Sequence, residues 1–331
     1  MARLGVNPAR GKFSAYVPAK ITVAVLTCIP TLEGYFQHRL DVLKLVFASL
    51  QANTPLPHDV LVFDNGSCPA AIDYLRQLHA AGEIDFLLLS GENIGKIGAF
   101  KLIFHVAPGE IIAYADDDIF FYPGWLEAQL RIIDTFPRVS MVSGAPVRHA
   151  SDRARRSLEA LIEEGVPGLS VSSERRIPDE WEADWALSTG RDPEKHLQEM
   201  RAWQDLVLRL GNIEALGSAS HFQFVAPKSV LLQALPAEWS GKLMGSMLEL
   251  DEAIDNLGFL RLSTVERVTR HLGNALSPEL IAEARAMGLP VEGKVVPRRP
   301  RARHWSLRFP GSRRVLKGLY NWLFDVLSGT D

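Results

Sequence analysis

Within the first 145 residues, short apolar runs alternate with amphipathic segments. Ile21–Thr27 is apolar on both faces, as expected of a strand covered by helices on both sides. Residues 41–53 follow with apolar side chains at helical spacing, and Thr54-Pro55 ends that helix. The same pattern predicts strands at 59–64, 86–89 and 111–115 and helices at 70–81 and 99–106. Repeated strand–helix units with short connections predict an α/β fold with a doubly wound, mainly parallel central sheet.

Polar residues follow each of these strands, at the end where a parallel sheet binds ligands. They are Thr27, Asp64, a glycine-rich loop at 91–98 and the acidic run 116–118. In a doubly wound sheet the carboxyl ends of parallel strands share one edge, and ligands bind across it. Four polar elements in one layer therefore predict a single binding site rather than four unrelated turns.

The acidic run contains three consecutive aspartates, Asp116, Asp117 and Asp118, directly after an apolar strand. Side chains alternate along an extended chain, so Asp116 and Asp118 are expected on one side and Asp117 on the other. Two carboxylates on one side suit Mg²⁺ or Mn²⁺ that bridges phosphates. An acidic turn after a strand is the alternative interpretation of the same three residues.

Composition narrows the class of protein. The chain has 331 residues, 47% of them hydrophobic and 23% charged, with a net charge of -3 and a pI near 6.3. This balance argues against a nucleic-acid partner. Two cysteines, Cys28 and Cys68, favour a reducing compartment, and no apolar segment approaches the roughly 18 residues of a membrane span. A cytoplasmic location is expected.

The C-terminal tail adds a further expectation about location. Residues 294–317 contain seven arginines and no acid, and residues 315–327 have the pattern of an apolar-faced helix that includes Trp322. Basic and amphipathic character predicts peripheral membrane contact, docking to a partner, or packing on the chain's own domain.

Taken together, the DNGS turn at 64–67, the N-x-G loop at 93–95 and the Gly-Glu-Ile-Ile-Ala-Tyr-Ala-Asp-Asp-Asp run at 109–118 resemble the family 2 glycosyltransferases. That resemblance extends over residues 21–145 and implies the GT-A fold and a nucleotide-diphosphate sugar donor, a UDP- or GDP-sugar. It implies that Thr27 lies near the nucleobase and that Asp64 hydrogen-bonds the base.

The resemblance also implies roles for the neighbouring residues in binding the nucleotide and its metal. Asn65, Asn93 and Gly95 are expected to line the nucleotide pocket. In the DXD motif, Asp116 is expected on the ribose side, Asp117 is expected to turn away and hold the loop, and Asp118 is expected to bind Mn²⁺ or Mg²⁺ on the diphosphate. His271, after a later strand-like run, is expected to complete the metal site, with a capping or core role as the alternative.

Past residue 145 the pattern changes to charged helical segments. Helices are predicted at 153–164, 178–185 and 193–210, as an insertion that acts either as a lid over the acceptor or as a solvated helical pair. A strand at 217–226 places His221 and Gln223 on one face, where the resemblance implies acceptor contacts; a structural histidine is the alternative.

An acidic segment at 249–258 resembles the family motif that supplies the catalytic base. An inverting transfer needs a carboxylate that removes the proton of the acceptor hydroxyl. Asp251 is the first candidate and Glu249 the second. Acids that stabilise a helix N-terminus are the alternative interpretation.

Together with these residues, the resemblance implies a metal-dependent, inverting glycosyltransferase that transfers a hexose to a glycan, lipid or other hydroxyl acceptor. A nucleotidyl- or phosphoryl-transferring α/β enzyme and a non-catalytic sugar-nucleotide-binding protein are the alternatives. The predicted parts are an arm at 1–20, a nucleotide-sugar-binding half at 21–145, a helical insertion at 146–212, an acceptor half at 213–290 and a basic tail at 291–331.

Overall fold

A computed structural model describes residues 5, 16–148, 154–236 and 247–291. Most of the predicted arm at 1–20 and all but the first residue of the predicted tail at 291–331 lie outside the described residues, so the expected membrane contact does too. The strands are β1 Ile21–Thr27, β2 His58–Asn65, β3 Phe86–Ser90, β4 Ile111–Asp116, β5 Ile119–Phe121, β6 Val139–Ser143, β7 Leu169–Glu174, β8 Asp205–Leu210, β9 Ile213–Leu216, β10 Gln223–Pro227, β11 Leu260–Ser263 and β12 Thr269–His271. The helices are α1 Arg39–Asn53, α2 Pro69–Ala80, α3 Gly95–Val106, α4 Trp125–Thr135, α5 Arg156–Glu164, α6 Asp179–Ser188, α7 Pro193–Glu199, α8 Lys228–Ala234, α9 Met247–Asn256 and α10 Pro278–Ala286.

One ten-stranded sheet organises the described chain, in the order β3-β2-β1-β4-β10-β6-β11-β9-β8-β7. Strands β3, β2, β1 and β4 are parallel, which confirms the doubly wound half predicted from the strand–helix repeats. Beyond β4 the sheet is mixed, since β10 runs antiparallel to both β4 and β6. The predicted α/β class is confirmed.

Strand β1 explains why this sheet is covered on both faces. Val23 and Val25 pack in one core cluster with Phe47 of α1, and Ala24 and Leu26 pack in a second with residues of α3. Successive side chains of a strand point to opposite faces, so a run that is apolar at every position must bury both. The sequence pattern is therefore satisfied by a helix layer on each side.

The insertion at 146–212 differs from its predicted helical character. Helices α5, α6 and α7 form, but the helix predicted over 193–210 ends at Glu199 and Asp205–Leu210 is strand β8. This strand pairs with β7 on one side and β9 on the other, and Gly211-Asn212 form the two-residue turn to β9. Ladder hydrogen bonds to two neighbours outweigh a local helical preference, which is only a weak determinant. The insertion thus extends the central sheet rather than standing apart as a helical pair.

A buried ionic network holds the insertion to the sheet. The Arg148 guanidinium donates to Asp205, with Nε 2.9 Å from Oδ1 and Nη2 3.2 Å from Oδ2. Glu182 accepts from the Arg148 backbone N–H at 2.7 Å, and its other oxygen lies 2.6 Å from His196 Nε2. All four residues are buried, so each charge depends on its partners for compensation.

Glu182 gives this network a predicted dependence on pH. Burial alone would raise the pKa of Glu182, but hydrogen bonds from His196 and the Arg148 N–H outweigh it and lower the pKa below its usual 4.5. A carboxyl whose pKa is lower in the native state than in the unfolded state stabilises the native state at pH values above the unfolded-state pKa. That stabilisation is lost as the pH falls through the lower, native-state pKa. We expect Glu182→Gln to cost about 1.5–3 kcal/mol of unfolding free energy at pH 7, the range for hydrogen bonds to a charged group.

Urea unfolding at pH 7 and pH 4 tests this expectation. The difference in unfolding free energy between the wild type and Glu182→Gln should be smaller at pH 4 than at pH 7. Glu180→Gln, on the exposed face of the same helix, is the control and should have the stability of the wild type at both pH values. An equal difference at the two pH values would contradict the charge-based explanation.

The described helices include none with the length and apolar character required to cross a membrane.

Candidate functional site

Strand register brings the predicted nucleotide-binding residues to one edge of the sheet. Thr27 is the register partner of Asp64 on β2, and Leu26, the preceding residue, is the partner of Asp116 on β4. Thr27 Oγ1 and Asp64 Oδ1 are both buried and have no hydrogen-bond partner within the described residues. Unpaired buried oxygens cost free energy, so two of them side by side indicate a place for a ligand that donates hydrogen bonds.

The environment of Asp64 leaves one oxygen for such a ligand. Its Oδ2 accepts from the Ser67 N–H at 3.1 Å, which closes the turn after β2. Burial raises the pKa of Asp64, opposed by the hydrogen bonds from Ser67 and Gly66. Oδ1 is therefore the Asp64 oxygen that has no partner within the described residues.

Asn65, at the end of β2, lies together with Asn93 and Gly95 of the glycine-rich loop. Asn65 Nδ2 donates to Asn93 Oδ1 at 3.0 Å, and Asn93 Oδ1 also accepts from the Gly95 N–H at 2.8 Å. Gly66 has φ +83°, and a Cβ there would come within 2.9 Å of Asn93 N. The two asparagines thus hold the loop against a turn in which only glycine fits.

The first aspartate of the triple faces solvent in part and is paired with a lysine. Lys96 Nζ lies 2.7 Å from Asp116 Oδ1 and 2.8 Å from Oδ2, and Tyr114 also donates to Oδ1. The Asp116 side chain is 25% exposed, against 9% for Lys96. A ligand can therefore reach Asp116, while the more buried Lys96 balances the charge of this carboxylate.

Asp117 and Asp118 both pair with Arg39, whereas Asp116 pairs with Lys96. The predicted alternation, with Asp116 and Asp118 on one side, is therefore wrong, because β4 ends at Asp116 and the next two residues form a turn. Asp117 has partners on both of its carboxylate oxygens. Its Oδ1 accepts from Arg39, and its Oδ2 accepts from the Cys28 backbone N–H at 3.1 Å. Burial raises the pKa of Asp117, and the adjacent Arg39 opposes that rise. Asp117 holds the end of β1 and the start of α1 in place, and both of its carboxylate oxygens are used by these contacts.

A second, two-stranded sheet brings His271 close to Asp118. Strand β12 pairs with β5 in a register that sets His271 opposite Ile119, and the Leu272 N–H donates to Asp118 O at 2.7 Å. His271 Nε2 lies 3.5 Å from Asp118 Oδ2, and its Nδ1 is 2.8 Å from Ser188 Oγ at the end of α6. The pairing of β5 with β12 joins residues that are far apart in the sequence.

Two basic side chains, Arg39 and His271, lie against Asp118. Arg39 Nη1 donates to Asp118 Oδ2 at 2.8 Å and to the Gly273 carbonyl at 2.8 Å. Burial would raise the pKa of Asp118, but the electrostatic interactions with His271 and Arg39 outweigh it and lower that pKa below its usual range. Asp118 is held as a carboxylate, the form that binds a metal ion.

Asp118 and His271 fit the divalent metal that the family resemblance implies. Asp118 Oδ1 is buried without a hydrogen-bond partner in the described part of the chain. No group of three or more His, Cys, Asp or Glu side chains suited to a metal exists within the described residues. Mg²⁺ and Mn²⁺ at phosphates commonly use one or two protein ligands and take the rest from the substrate and water, and imidazole is a suitable ligand for Mn²⁺.

The predicted catalytic acids lie on the other flank of the site. Asp251 in α9 has a side chain only 3% exposed, with Arg261 Nη2 2.9 Å from its Oδ1. His221 Nδ1 lies 3.2 Å from Asp251 Oδ2 and 3.3 Å from Oδ1. Glu249 is an exposed residue in the first turn of the same helix.

Gln223 does not have the position expected of an acceptor contact. It is fully buried in β10, where Oε1 accepts from the Gly144 N–H at 2.8 Å and Nε2 donates to Gln129 at 3.0 Å. His221 lies before β10 begins, so the predicted shared strand face does not form. The buried amide is satisfied by the protein itself, and an acceptor would have to displace those bonds.

Sequence reasoning missed the basic residues that pair with the acids. Lys96 lies within the glycine-rich loop, so its position in the ligand layer was a usable signal. Arg39 and Arg261 have no such signal, because each meets its partner only through contacts between elements distant in the sequence. Ser188 likewise reaches His271 only after the insertion folds back.

Comparison with known families identifies the class of domain. Residues 28–182 match the family model described as glycosyl transferase family 2. This match confirms the resemblance predicted from the DNGS turn and the triple aspartate, both of which it contains. A search of curated proteins finds no significant match.

Three solved structures that a structural comparison matches to this chain are remote from it in sequence. A mannosyltransferase, PcManGT from Pyrobaculum calidifontis, in complex with GDP-Man and Mn²⁺, is 23% identical over 38% of this chain and 35% of its own, with a TM-score of 0.30. TarS residues 1–349 from S. aureus gives 13% identity over 81% of this chain and 64% of its own, with a TM-score of 0.42. GalNAc-T7 with UDP, GalNAc and Mn²⁺ gives 14% identity over 78% and 45%, with a TM-score of 0.45. The match covers between about one third and two thirds of the length of each of these chains.

Proposed function

We propose that this chain, which matches glycosyl transferase family 2 over residues 28–182, transfers a sugar from a uridine diphosphate sugar to a hydroxyl acceptor. The transfer inverts the anomeric carbon and uses Mn²⁺ or Mg²⁺. One observation supports this proposal above the others. Three buried oxygens without described partners, Thr27 Oγ1, Asp64 Oδ1 and Asp118 Oδ1, lie at one edge of the sheet. Their positions suit a nucleobase at one end and a diphosphate with its metal at the other.

Asp64 favours uracil among the nucleobases. Uracil presents a single ring N–H on its pairing edge, and Asp64 presents a single unpaired oxygen. Guanine presents two N–H donors on the corresponding edge and would use both carboxylate oxygens, one of which already accepts from Ser67. Thr27 Oγ1, beside it in register, is the second contact we propose for the base.

Asp116 and Asp118 bind different parts of the donor, the ribose and the diphosphate with its metal. Asp116 is partly exposed and accepts from ribose hydroxyl groups, while Lys96 balances its charge. Asp118 and His271 hold the metal ion. When bound, the metal neutralises the diphosphate leaving group and makes its departure easier.

The acceptor approaches from the α9 side of the edge, where Asp251, Glu249 and His221 lie. Inversion requires a single in-line displacement: the acceptor oxygen bonds to the anomeric carbon, the bond from that carbon to the diphosphate oxygen breaks, and the acceptor proton passes to a base on the protein. The family match favours sugar transfer over the nucleotidyl or phosphoryl transfer that the acids alone would also permit.

A substitution at Asp64 tests the choice of nucleobase. Asp64→Asn removes the charged acceptor, and we expect UDP to bind about 10–100 times more weakly, the equivalent of one lost hydrogen bond to a charged group. Calorimetry with UDP and GDP in the presence of Mn²⁺ measures the effect. Asp73→Asn, on the exposed face of α2, is the matched control. Tighter binding of GDP than UDP by the wild type would contradict the uracil assignment.

Product analysis tests the reaction itself. The protein is incubated with UDP-glucose, UDP-galactose, UDP-N-acetylglucosamine and GDP-mannose, each with Mn²⁺, Mg²⁺ or EDTA, with water and simple glycosides as acceptors. We expect release of UDP together with a free or transferred sugar, dependent on the metal. Release of UMP and a sugar phosphate would indicate cleavage within the diphosphate and would contradict glycosyl transfer.

A further inference from the structure

The His221 side chain occupies an unusual position at the edge of the donor site. It lies two residues before β10, which runs antiparallel to β4, so it stands at the same edge as Asp116. The next residue, Phe222, accepts a hydrogen bond at 2.8 Å from the Asp116 backbone N–H, and Lys96 Nζ lies 3.4 Å from the His221 carbonyl. His221 is therefore one residue away from the backbone partner of Asp116, and its carbonyl lies near the lysine that pairs with that aspartate.

Asp251 fixes the ring of His221. The carboxylate accepts from Nδ1, which places the proton on that nitrogen and leaves Nε2 as the basic nitrogen of the ring. None of the other described residues has a hydrogen bond with Nε2 in this structure. The His221 side chain is 35% exposed, so solvent and small molecules reach the ring.

Asp251 is poorly placed to act on an acceptor directly. Its side chain and that of Arg261 are each 3% exposed, and Arg261 also donates to the Ala219 carbonyl at 2.9 Å. One flank of the carboxylate is covered by this buried ion pair and another by His221. An acceptor hydroxyl would have to displace one of these groups to touch it.

We propose that His221 is the catalytic base of the proposed transfer and that Asp251 is a positioning residue that acts through it, in an Arg261–Asp251–His221 chain. The inference rests on the proposed function. As the acceptor oxygen bonds to the anomeric carbon, its proton moves to Nε2 of His221, and the carbon–oxygen electron pair leaves with the nucleoside diphosphate. Asp251 keeps the imidazole in the correct tautomer and stabilises the imidazolium that forms, as carboxylates do for histidine bases elsewhere. The proton later passes from the exposed ring to water.

Two substitutions of His221 separate catalysis from folding. His221→Asn keeps an amide that can donate to Asp251 but has no basic nitrogen, and His221→Ala leaves space for added imidazole. The assay uses whichever of the UDP-sugars named above the wild type consumes, and measures UDP release with water as acceptor and UDP binding by calorimetry. For both variants we expect kcat to fall about 100-fold, within the range for loss of a general base, with UDP affinity changed less than twofold. Imidazole should restore His221→Ala at least about tenfold and leave His221→Asn unchanged.

Asp251→Asn tests the positioning role. We expect kcat to fall about tenfold or more while KM for the donor stays constant, because the ring loses its tautomer control but the donor pocket is intact. Glu252→Gln, on the exposed side of α9, is the matched control and should match the wild type.

The outcomes distinguish this inference from the proposed function. If His221→Asn retains full kcat while Asp251→Asn or Glu249→Gln abolishes UDP release, a carboxylate is the base and the role of His221 is overturned. If the wild type binds UDP but releases none from any UDP-sugar, the proposed function is overturned and the inference with it. Imidazole rescue of His221→Ala, with UDP binding intact, supports both.

Discussion

Replacing Asp118 by Asn is expected to remove metal-dependent binding of UDP and to lower the rate of sugar transfer about 1,000-fold or more. The physical reason is the loss of the carboxylate that a divalent ion requires, since Asp118 and His271 are the two protein ligands we propose for it. A metal at a departing diphosphate supplies several kcal/mol, and about 4 kcal/mol corresponds to three powers of ten in rate. Asparagine has nearly the same shape, so the β5–β12 pairing and the backbone bond to Leu272 are retained.

The measurement compares UDP affinity in Mn²⁺ and in EDTA. In the wild type we expect Mn²⁺ to tighten binding, and in Asp118→Asn the two affinities should become equal, at the metal-free value. Asp134→Asn, on the exposed face of α4, is the same chemical change at a distance from the site. A variant that keeps the full effect of Mn²⁺ would show that Asp118 does not bind the metal.

Arg39 makes this experiment more informative, because its guanidinium already lies on Asp118. It donates to Asp118 at 2.8 Å and also to Asp117, and its own side chain is 7% exposed. The loss of one carboxylate leaves Arg39 with a single charged partner in a buried place, which lowers stability as well as activity. Urea unfolding of Asp118→Asn therefore accompanies the binding measurement, so that a change in folding is not counted as a change in metal affinity.

The largest expected effect on stability is at Arg148. Its side chain is fully buried, and the Asp205 carboxylate with which it pairs is 2% exposed. Arg148→Met keeps much of the volume but leaves Asp205 without a charged partner. Removal of one member of a buried ion pair typically costs 3–5 kcal/mol, so we expect about that loss of unfolding free energy.

Equilibrium unfolding in urea measures this loss, and an exposed arginine provides the comparison. Arg76 pairs with Asp73 at the surface, with side chains 62% and 64% exposed, and Arg76→Met should cost about 0–1 kcal/mol. If Arg148→Met cost no more than Arg76→Met, the buried network would not be what attaches the insertion to the sheet. Backbone bonds from Arg176 and Ile177 to Asp205 remain in the variant, so the comparison isolates the guanidinium charge.

The insertion also has a direct link to the site. The end of α6 places Ser188 against His271 Nδ1, and Gly273, with φ +72°, lies so close to Ser188 that a Cβ would come within 2.5 Å of its carbonyl oxygen. A hydrogen bond to the second ring nitrogen orients a metal-binding histidine. The inserted segment, which local pattern alone described as a lid or a solvated pair, thus packs against a proposed metal ligand.

Local pattern determined the first half of the molecule. Strands that are apolar at every position, each followed by an amphipathic helix, leave few ways to bury their side chains, so a parallel sheet with helices on both faces follows from the sequence. The same reasoning placed Thr27, Asp64 and Asp116 at one edge, because the carboxyl ends of parallel strands always meet there. Strand alternation did not place the other two aspartates correctly, because β4 ends at Asp116 and Asp117 and Asp118 both pair with Arg39.

Tertiary structure alone decided what each polar group pairs with. Arg39 reaches Asp118, Arg261 reaches Asp251, and Asp205 joins a strand rather than a helix only after distant segments meet, and no local period records such contacts. It also decided that Asp251 is buried while His221 is partly open, which changes the proposed base from the carboxylate to the ring beside it. The sequence by itself determined which edge of the sheet binds a ligand, because periodicity is local; the partners, burial and charge of each side chain there depend on the whole fold.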